Sequence, residues 1–270
     1  MPVFLPLLRE FRQLPTLILI LAGTIAGCGE TVVLGYTNGD FFECVPVPCQ
    51  GAGTKACGDC VDNDGDGHPD AADEHCLSAC DDDESGFYDA QSGNNQASCN
   101  QDCFFDSNSG AGNDGCQWDH QCDPLSPAGD SCPYDDGRFA ATCESWGTAQ
   151  SDYCVSTCLS KTPNGCDCFG CCELPARSGN FVWLGKQQQN QATCNEDSFS
   201  DPESCPPCTP VPSCQNTCDS CEVCVGGSGL PPGCQANDAC PDGALSCATA
   251  PFACTDGTYC VTGCCREVAP

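Results

Sequence analysis

Residues 57–80 read Cys57-Gly58-Asp59-Cys60-Val61-Asp62-Asn63-Asp64-Gly65-Asp66-Gly67-His68-Pro69-Asp70-Ala71-Ala72-Asp73-Glu74-His75-Cys76-Leu77-Ser78-Ala79-Cys80. Two patterns overlap here: cysteines recur at short intervals, and aspartates alternate with other residues around two glycines. No apolar repeat of 3.6 or 2 residues runs through the stretch, so it encodes neither a long amphipathic helix nor a half-buried strand. The cysteine pattern extends over the whole chain, with 33 cysteines in 270 residues, far above the level that marks a disulfide scaffold. Large aliphatic side chains are scarce beyond residue 35, and Gly, Pro, Asn, Asp and Ser fill the gaps between cysteines. Such a chain buries too little apolar surface for its length, so covalent links must offset much of the entropy of folding.

Asp62, Asp64, Asp66, Asp70 and Asp73 fall at positions 1, 3, 5, 9 and 12 of a loop whose position 6 is Gly67. A hard cation takes six to eight oxygens at about 2.3–2.6 Å, and alternate residues of a tight loop converge to supply them. Gly67 permits the sharp turn, and the backbone carbonyl of His68 is the expected ligand at position 7. Calcium is the expected ion, because magnesium keeps more water and fewer protein ligands. The stretch resembles thrombospondin type-3 repeats, whose DxDxDGxxDxxDxC pattern it matches with one extra residue before Cys76. The resemblance covers about 20 of 270 residues and implies an extracellular spacer or interaction module. The loop is also similar to EF-hand and dockerin loops, but those lie between longer helices.

A second copy follows, with Asp81, Asp83, Ser85, Gly86 and Asp89 at positions 1, 3, 5, 6 and 9. Ser92 stands at its position 12, so Asn94, Asn95 or water would have to complete the shell. A third, degenerate copy is Asp106-Ser107-Asn108-Ser109-Gly110, with Asp114 and Asp119 nearby. The candidate metal ligands are thus Asp62, Asp64, Asp66, His68, Asp70, Asp73, Asp81, Asp83, Ser85 and Asp89. The fold expected from cysteines and loops together is small, disulfide-rich and irregular. It consists of short β-hairpins and calcium loops, with little regular secondary structure.

The N-terminus has the shape of an export signal. Arg9 and Arg12 precede an apolar run from Leu14 to Gly27 that ends in Ile25-Ala26-Gly27-Cys28. The run is short for a membrane span and the right length for a signal core. Its end resembles the lipobox of bacterial lipoproteins. That resemblance implies cleavage before Cys28, acylation of its thiol and amino group, and attachment to a membrane through several acyl chains. Gly29 rather than aspartate follows, which favours the outer membrane or cell surface. With Cys28 acylated, 32 cysteines remain, an even number that closes into 16 disulfides. An ordinary secretory signal would leave an odd count, which secreted proteins tend to avoid.

Loss of residues 1–27 removes Arg9, Arg12 and Glu10, leaving six basic and 37 acidic residues. Such a charge repels nucleic acid and anionic lipid headgroups and attracts divalent cations. Composition divides the chain into a signal (1–27), an acyl anchor and tether (28–56), an acidic calcium-binding region (57–136), a cysteine-rich middle (137–200) and C-terminal cysteine-rich hairpins (201–270). Residues 57–136 hold 20 acidic side chains and neither Lys nor Arg. The tether carries a short strand signal at Thr31 to Tyr36 and a first cysteine pair, Cys44 and Cys49. A helix is expected over Pro69 to Cys80. Asp242-Gly243 and Asp256-Gly257, each between closely spaced cysteines, are hairpin signals, since glycine accepts the positive φ of tight turns. Gln187, Gln188, Gln189 and Asn190 read as a solvated loop.

CxxC spacings occur at Cys57/Cys60, Cys168/Cys171, Cys205/Cys208, Cys218/Cys221 and Cys221/Cys224. Outside the cytosol they read as disulfide sulfurs rather than zinc ligands or a redox pair. Three histidines, His68, His75 and His120, are expected at the surface, and no nucleophile elbow, HExxH or phosphate loop is present. No enzyme is expected. The function read from the sequence is a surface-anchored, calcium-binding lipoprotein with a structural or adhesive role. The alternative is a module whose C-terminal hairpins bind a surface protein or glycan, with calcium incidental; its Cys254–Cys265 stretch weakly resembles granulin-like and toxin-like patterns. Calcium removal is expected to loosen residues 57–123 and to spare 201–270.

Overall fold

Thirty-two cysteines, all but Cys28, pair into 16 disulfides. The computed structural model describes residues 34–268 apart from 38–39, 50–52, 88–98, 107–113, 190, 237–239, 241–242 and 256. Cys28 and the first 27 residues lie outside it, as does the first half of the strand signal at Thr31 to Tyr36; a strand is present at Leu34–Thr37. No CxxC motif closes on itself. Cys57 pairs with Cys76 and Cys60 with Cys44, while Cys205 and Cys208 go to Cys194 and Cys171. Cys44 and Cys49 likewise bond not to each other but to Cys60 and Cys80.

Regular structure among the described residues is limited to short antiparallel hairpins and a few helical turns. The hairpins are β1 (Leu34–Thr37) with β2 (Asp40–Glu43), β3 (Pro48–Cys49) with β4 (Gly53–Thr54), and β5 (Asn100–Gln101) with β6 (Trp118–Asp119). They continue with β7 (Cys171–Glu173) and β8 (Phe181–Trp183), β9 (Gln187–Gln188) and β10 (Gln191–Ala192), and β11 (Thr258–Val261) and β12 (Cys264–Glu267). The glutamine run is therefore a hairpin rather than an open loop, with Gln189 in its turn at φ 58°. The last hairpin turns at Thr262-Gly263, where both φ values are positive (46° and 75°); Asp256 and Asp242, of the two Asp-Gly signals, lie outside the described residues. Thr262-Gly263 is a two-residue turn whose twist suits the flanking strands. Disulfides from Cys260, Cys264 and Cys265 fix that register.

The α-helical turns among the described residues lie in the middle region. Asp135 caps α1 (Asp136–Arg138) by accepting from the amides of Gly137 and Arg138, and a wider turn leads into α2 (Glu144–Thr148). Ser151 caps α3 (Asp152–Cys158) through the amide of Cys154. Cys154 and Cys158, four apart, share one face of α3 and bond to Cys116 and Cys103. Around them Trp118, Phe169 and Val211 form a core in which sulfur supplies much of the filling. A second core gathers Phe87, Phe104, Phe105, Leu174 and Leu184.

The helix expected over Pro69 to Cys80 is absent. Only a 3-10 turn, Asp70–Ala72, forms. Asp70 takes φ 47°, which a helix does not permit, and Cys76 and Cys80 are drawn to separate partners at Cys57 and Cys49. A third core sits beside this turn, where Tyr259 and Val261 of β11 pack on the Cys57–Cys76 disulfide, Ala79 and Ala71. The acidic region and the C-terminal hairpin are therefore joined, and the expectation that calcium removal spares residues 201–270 no longer follows.

Loop length ranks the disulfides. Cys103–Cys158 closes 55 residues and Cys218–Cys224 closes 6. Replacing the first pair by serine should lower stability by about 4 kcal/mol and the second by about 2 kcal/mol, measured by guanidinium unfolding without reductant. Equal losses would contradict an entropic framework.

Candidate functional site: an acidic loop clamped by Glu84

The loop at 62–73 is built from Asx turns. Asp62 accepts from the amides of Gly65 (2.7 Å) and Gly67 (3.0 Å), Asp64 from Asp66 (3.0 Å), and Asp66 from His68 (2.7 Å). Gly65 and Gly67 have φ of 84° and 99°, conformations that side chains disfavour. These bonds curl Asp62, Asp64 and Asp66 around one another. Burial and the neighbouring carboxylates of Asp66, Asp73 and Asp62 raise the pKa of Asp64 above the usual aspartate range.

Glu84 closes the loop. Its two oxygens accept from the amides of Asn63 (2.6 Å) and Asp70 (2.7 Å), and the residue is only 2% exposed. Burial pushes Glu84 up to about 7 despite both donors. Nothing in the sequence distinguishes Glu84 from the acidic run Asp81–Asp83 beside it. Asp73, at position 12, accepts from the amide of His75 through Oδ1 (2.8 Å), while its buried Oδ2 has no hydrogen-bond partner. One oxygen each of Asp64 and Asp73 and a ring nitrogen of His75 lie within 4.8 Å of one another.

His75 is buried, at 7% exposure, and not at the surface as expected. Its ring packs edge-on against Phe87 at 4.7 Å, and Nε2 lies 2.8 Å from Glu196. Burial opposes its charge, but the carboxylates of Asp73 and Glu196 outweigh that and hold it up to about 9. Neither partner was evident in the sequence: Phe87 is 12 residues away and Glu196 is 121.

Asp70, expected at position 9, has its carboxylate elsewhere. It accepts from the amide of Cys60 at 3.1 Å and approaches Cys44 Sγ at 3.7 Å, and burial pushes it up to about 7. His68 remains exposed on the loop. Tyr259 lies nearby and donates its hydroxyl to the carbonyl of Cys57 at 2.7 Å. Burial, then the carboxylates of Asp70, Glu84, Asp81 and Asp73, raise that hydroxyl well above its usual value, so it remains a donor.

The second copy begins with Asx turns as the first does, and its positions from Tyr88 to Ser92 lie outside the described residues. Asp83 Oδ1 accepts from the amide and hydroxyl of Ser85, and Oδ2 from the amide of Ala192 in β10 (2.6 Å). Asp81 accepts from the amide of Asp83, and Asp89 lies outside the described residues. In the third copy Asp114 holds the amides of Cys103 and Cys116, and Asp119 pairs with Arg138 at 2.5 Å. Ser107 to Gly110 lie outside the described residues. Sulfurs grouped with carboxylates, such as Cys57 and Cys76 near Glu84, are bonded to each other and offer no thiolate.

A cleft of about 280 Å³ opens beside the loop, lined on one side by Asp66, His68, Asp73 and Glu74 and on the other by the segment 223–229. His120, also expected at the surface, is 4% exposed and packs edge-on against Trp183 at 4.5 Å. No helix among the described residues is long and apolar enough to cross a membrane. No family model, curated protein or solved structure matches this chain.

Replacing Glu84 with alanine removes two charge-assisted bonds and should cost about 3 kcal/mol or more. The check is thermal unfolding together with protease cutting inside 62–73; a loss under about 1 kcal/mol would show the clamp to be dispensable. A second outcome concerns His120, whose pKa burial lowers from 6.5 to about 4. Above pH 6.5 both folded and unfolded states are neutral there. Between 6.5 and 4 only the unfolded chain takes the proton, so stability falls with pH and levels off below 4, by about 3 kcal/mol in total. Wild type minus H120F, followed by denaturant unfolding across that window, should show this trend; a flat difference would contradict it.

Proposed function

We propose that this chain is an extracytoplasmic, disulfide-framed protein that holds calcium in the loop 62–73 and serves a structural or adhesive role, tethered to a membrane through acylated Cys28. One observation carries the reading. Two carboxylates twelve-residue-loop logic places at positions 3 and 12, Asp64 and Asp73, converge, and Asp73 keeps a buried oxygen without a hydrogen-bond partner. Leaving such a group unsatisfied is costly, and a cation is the partner that offsets it. The oxygen-rich loop suits a hard ion. The count of 32 paired cysteines supports an oxidising compartment, and the lipobox-like end of the leader supports the tether. A membrane lipid anchor and a surface partner fit this reading, and nucleic acid does not fit the charge.

The cleft favours one refinement of the alternative, recognition of a surface protein or glycan. Its walls come from both the acidic loop and the C-terminal region, so recognition there would depend on the ion rather than treat it as incidental. No enzymatic step is proposed.

Limited proteolysis of the disulfide-intact protein tests the reading. Chelation with EDTA should speed cutting within 62–73 and, through Tyr259, within the last hairpin; added calcium should restore protection. Equal cutting with and without EDTA would overturn it.

A further inference from the structure

We infer that His75 is a nitrogen ligand at the end of the acidic loop, so that the site takes a borderline transition-metal ion such as Zn²⁺, held by Asp64, Asp73 and His75 and backed by Glu196. The inference rests on reading residues 62–73 as a divalent-cation loop.

Three features carry it. The first is proximity: one atom each of Asp64, Asp73 and His75 lies within 4.8 Å of the others, and His75 Nδ1 is 3.2 Å from Asp73 Oδ1. Ligand atoms around a tetrahedral zinc at about 2.0–2.1 Å sit about 3.3 Å apart. Asp73 Oδ1 and His75 Nδ1 already have that spacing, and Asp64, exposed on the loop, is the member that closes. The second is satisfaction. Asp73 Oδ2 is buried without a hydrogen-bond partner, and His75 Nδ1, also buried, faces Asp73 Oδ1 at 3.2 Å. A metal ion there satisfies the open oxygen and takes the place of the proton on that nitrogen.

The third is the arrangement behind the ring. Metal-bound histidine characteristically donates its other N–H to a carboxylate, which fixes the ring and raises its basicity. Here Nε2 is 2.8 Å from Glu196 Oε2, and Phe87 packs against the ring at 4.7 Å. Imidazole is a ligand preferred by zinc and its neighbours, whereas calcium prefers oxygen alone. Asp64 and the cleft lined by Asp66, His68 and Asp73 leave the ion reachable from solvent. With three protein ligands, a fourth position stays open to water or to a ligand in that cleft.

Calorimetric titration of the disulfide-intact chain, freed of metal, with ZnCl₂ and separately with CaCl₂ tests the assignment. H75Q should weaken Zn²⁺ binding at least tenfold and leave Ca²⁺ within about twofold. E196Q alters a side chain that is 41% exposed, so the fold survives the change, and it should weaken Zn²⁺ by about tenfold or more without affecting Ca²⁺. Zn²⁺ affinity unchanged in both variants, or Zn²⁺ and Ca²⁺ weakened equally, would overturn the assignment while leaving a calcium loop standing. Zn²⁺ binding that depends on His75 in a chain that does not bind Ca²⁺ would uphold the assignment and remove calcium. Failure of both ions to bind the wild type would remove both.

Discussion

Glu84 holds two main-chain amides of the loop, at Asn63 and Asp70, from a position closed to solvent. That contact forces several carboxylates into one small volume. Asp70, Asp73, Asp81 and Glu84 are all buried, and all four act on the hydroxyl of Tyr259. His75 is the basic group placed among them, in contact with Asp73 and Glu196. Buried acids without counter-charge are costly, and in most folds the segment would swing into water. Here it cannot. Cys44–Cys60, Cys49–Cys80 and Cys57–Cys76 bracket it on both sides. Covalent links hold the acids together.

The same constraint explains how the rest of the chain is organised. A core of three small clusters, each rich in half-cystine, replaces a single large one. Buried carboxylates act as main-chain staples throughout: Asp167 accepts from Phe169, Cys171 and Val211, and Asp123 from Leu125 and Thr209. In a chain with little helix or strand, turns leave amides unpaired, and aspartate is the shortest side chain that can take two of them. The abundance of aspartate is thus partly architectural. Asp83, bound to Ser85 and Ala192, is one such staple.

Much of the fold class was legible in the sequence because cysteine count and the scarcity of aliphatics are compositional, and parity requires no geometry. Connectivity was not, since neighbouring cysteines such as Cys171 and Cys172 go to Cys208 and Cys166 for reasons of tertiary position. The curl that brings Asp62, Asp64 and Asp66 together was legible from spacing, because Asx turns are local. Asp70 was not: its positive φ and its bond to Cys60 depend on a disulfide outside the loop. Histidines were misjudged for a related cause. His75 and His120 sit among polar sequence neighbours, but their burial comes from Phe87 and from Trp183, the latter 63 residues distant. Glu84 carried no signal, since its role is to serve another loop's amides.

Native mass spectrometry of the disulfide-intact chain, before and after chelation, bears most directly on the claim that covalently confined carboxylates are neutralised by a bound cation. The account predicts a divalent ion retained by the wild type, lost on chelation, regained on adding metal, and absent from D73N. A wild-type chain that carries no ion under any of these conditions, while remaining folded, would contradict it.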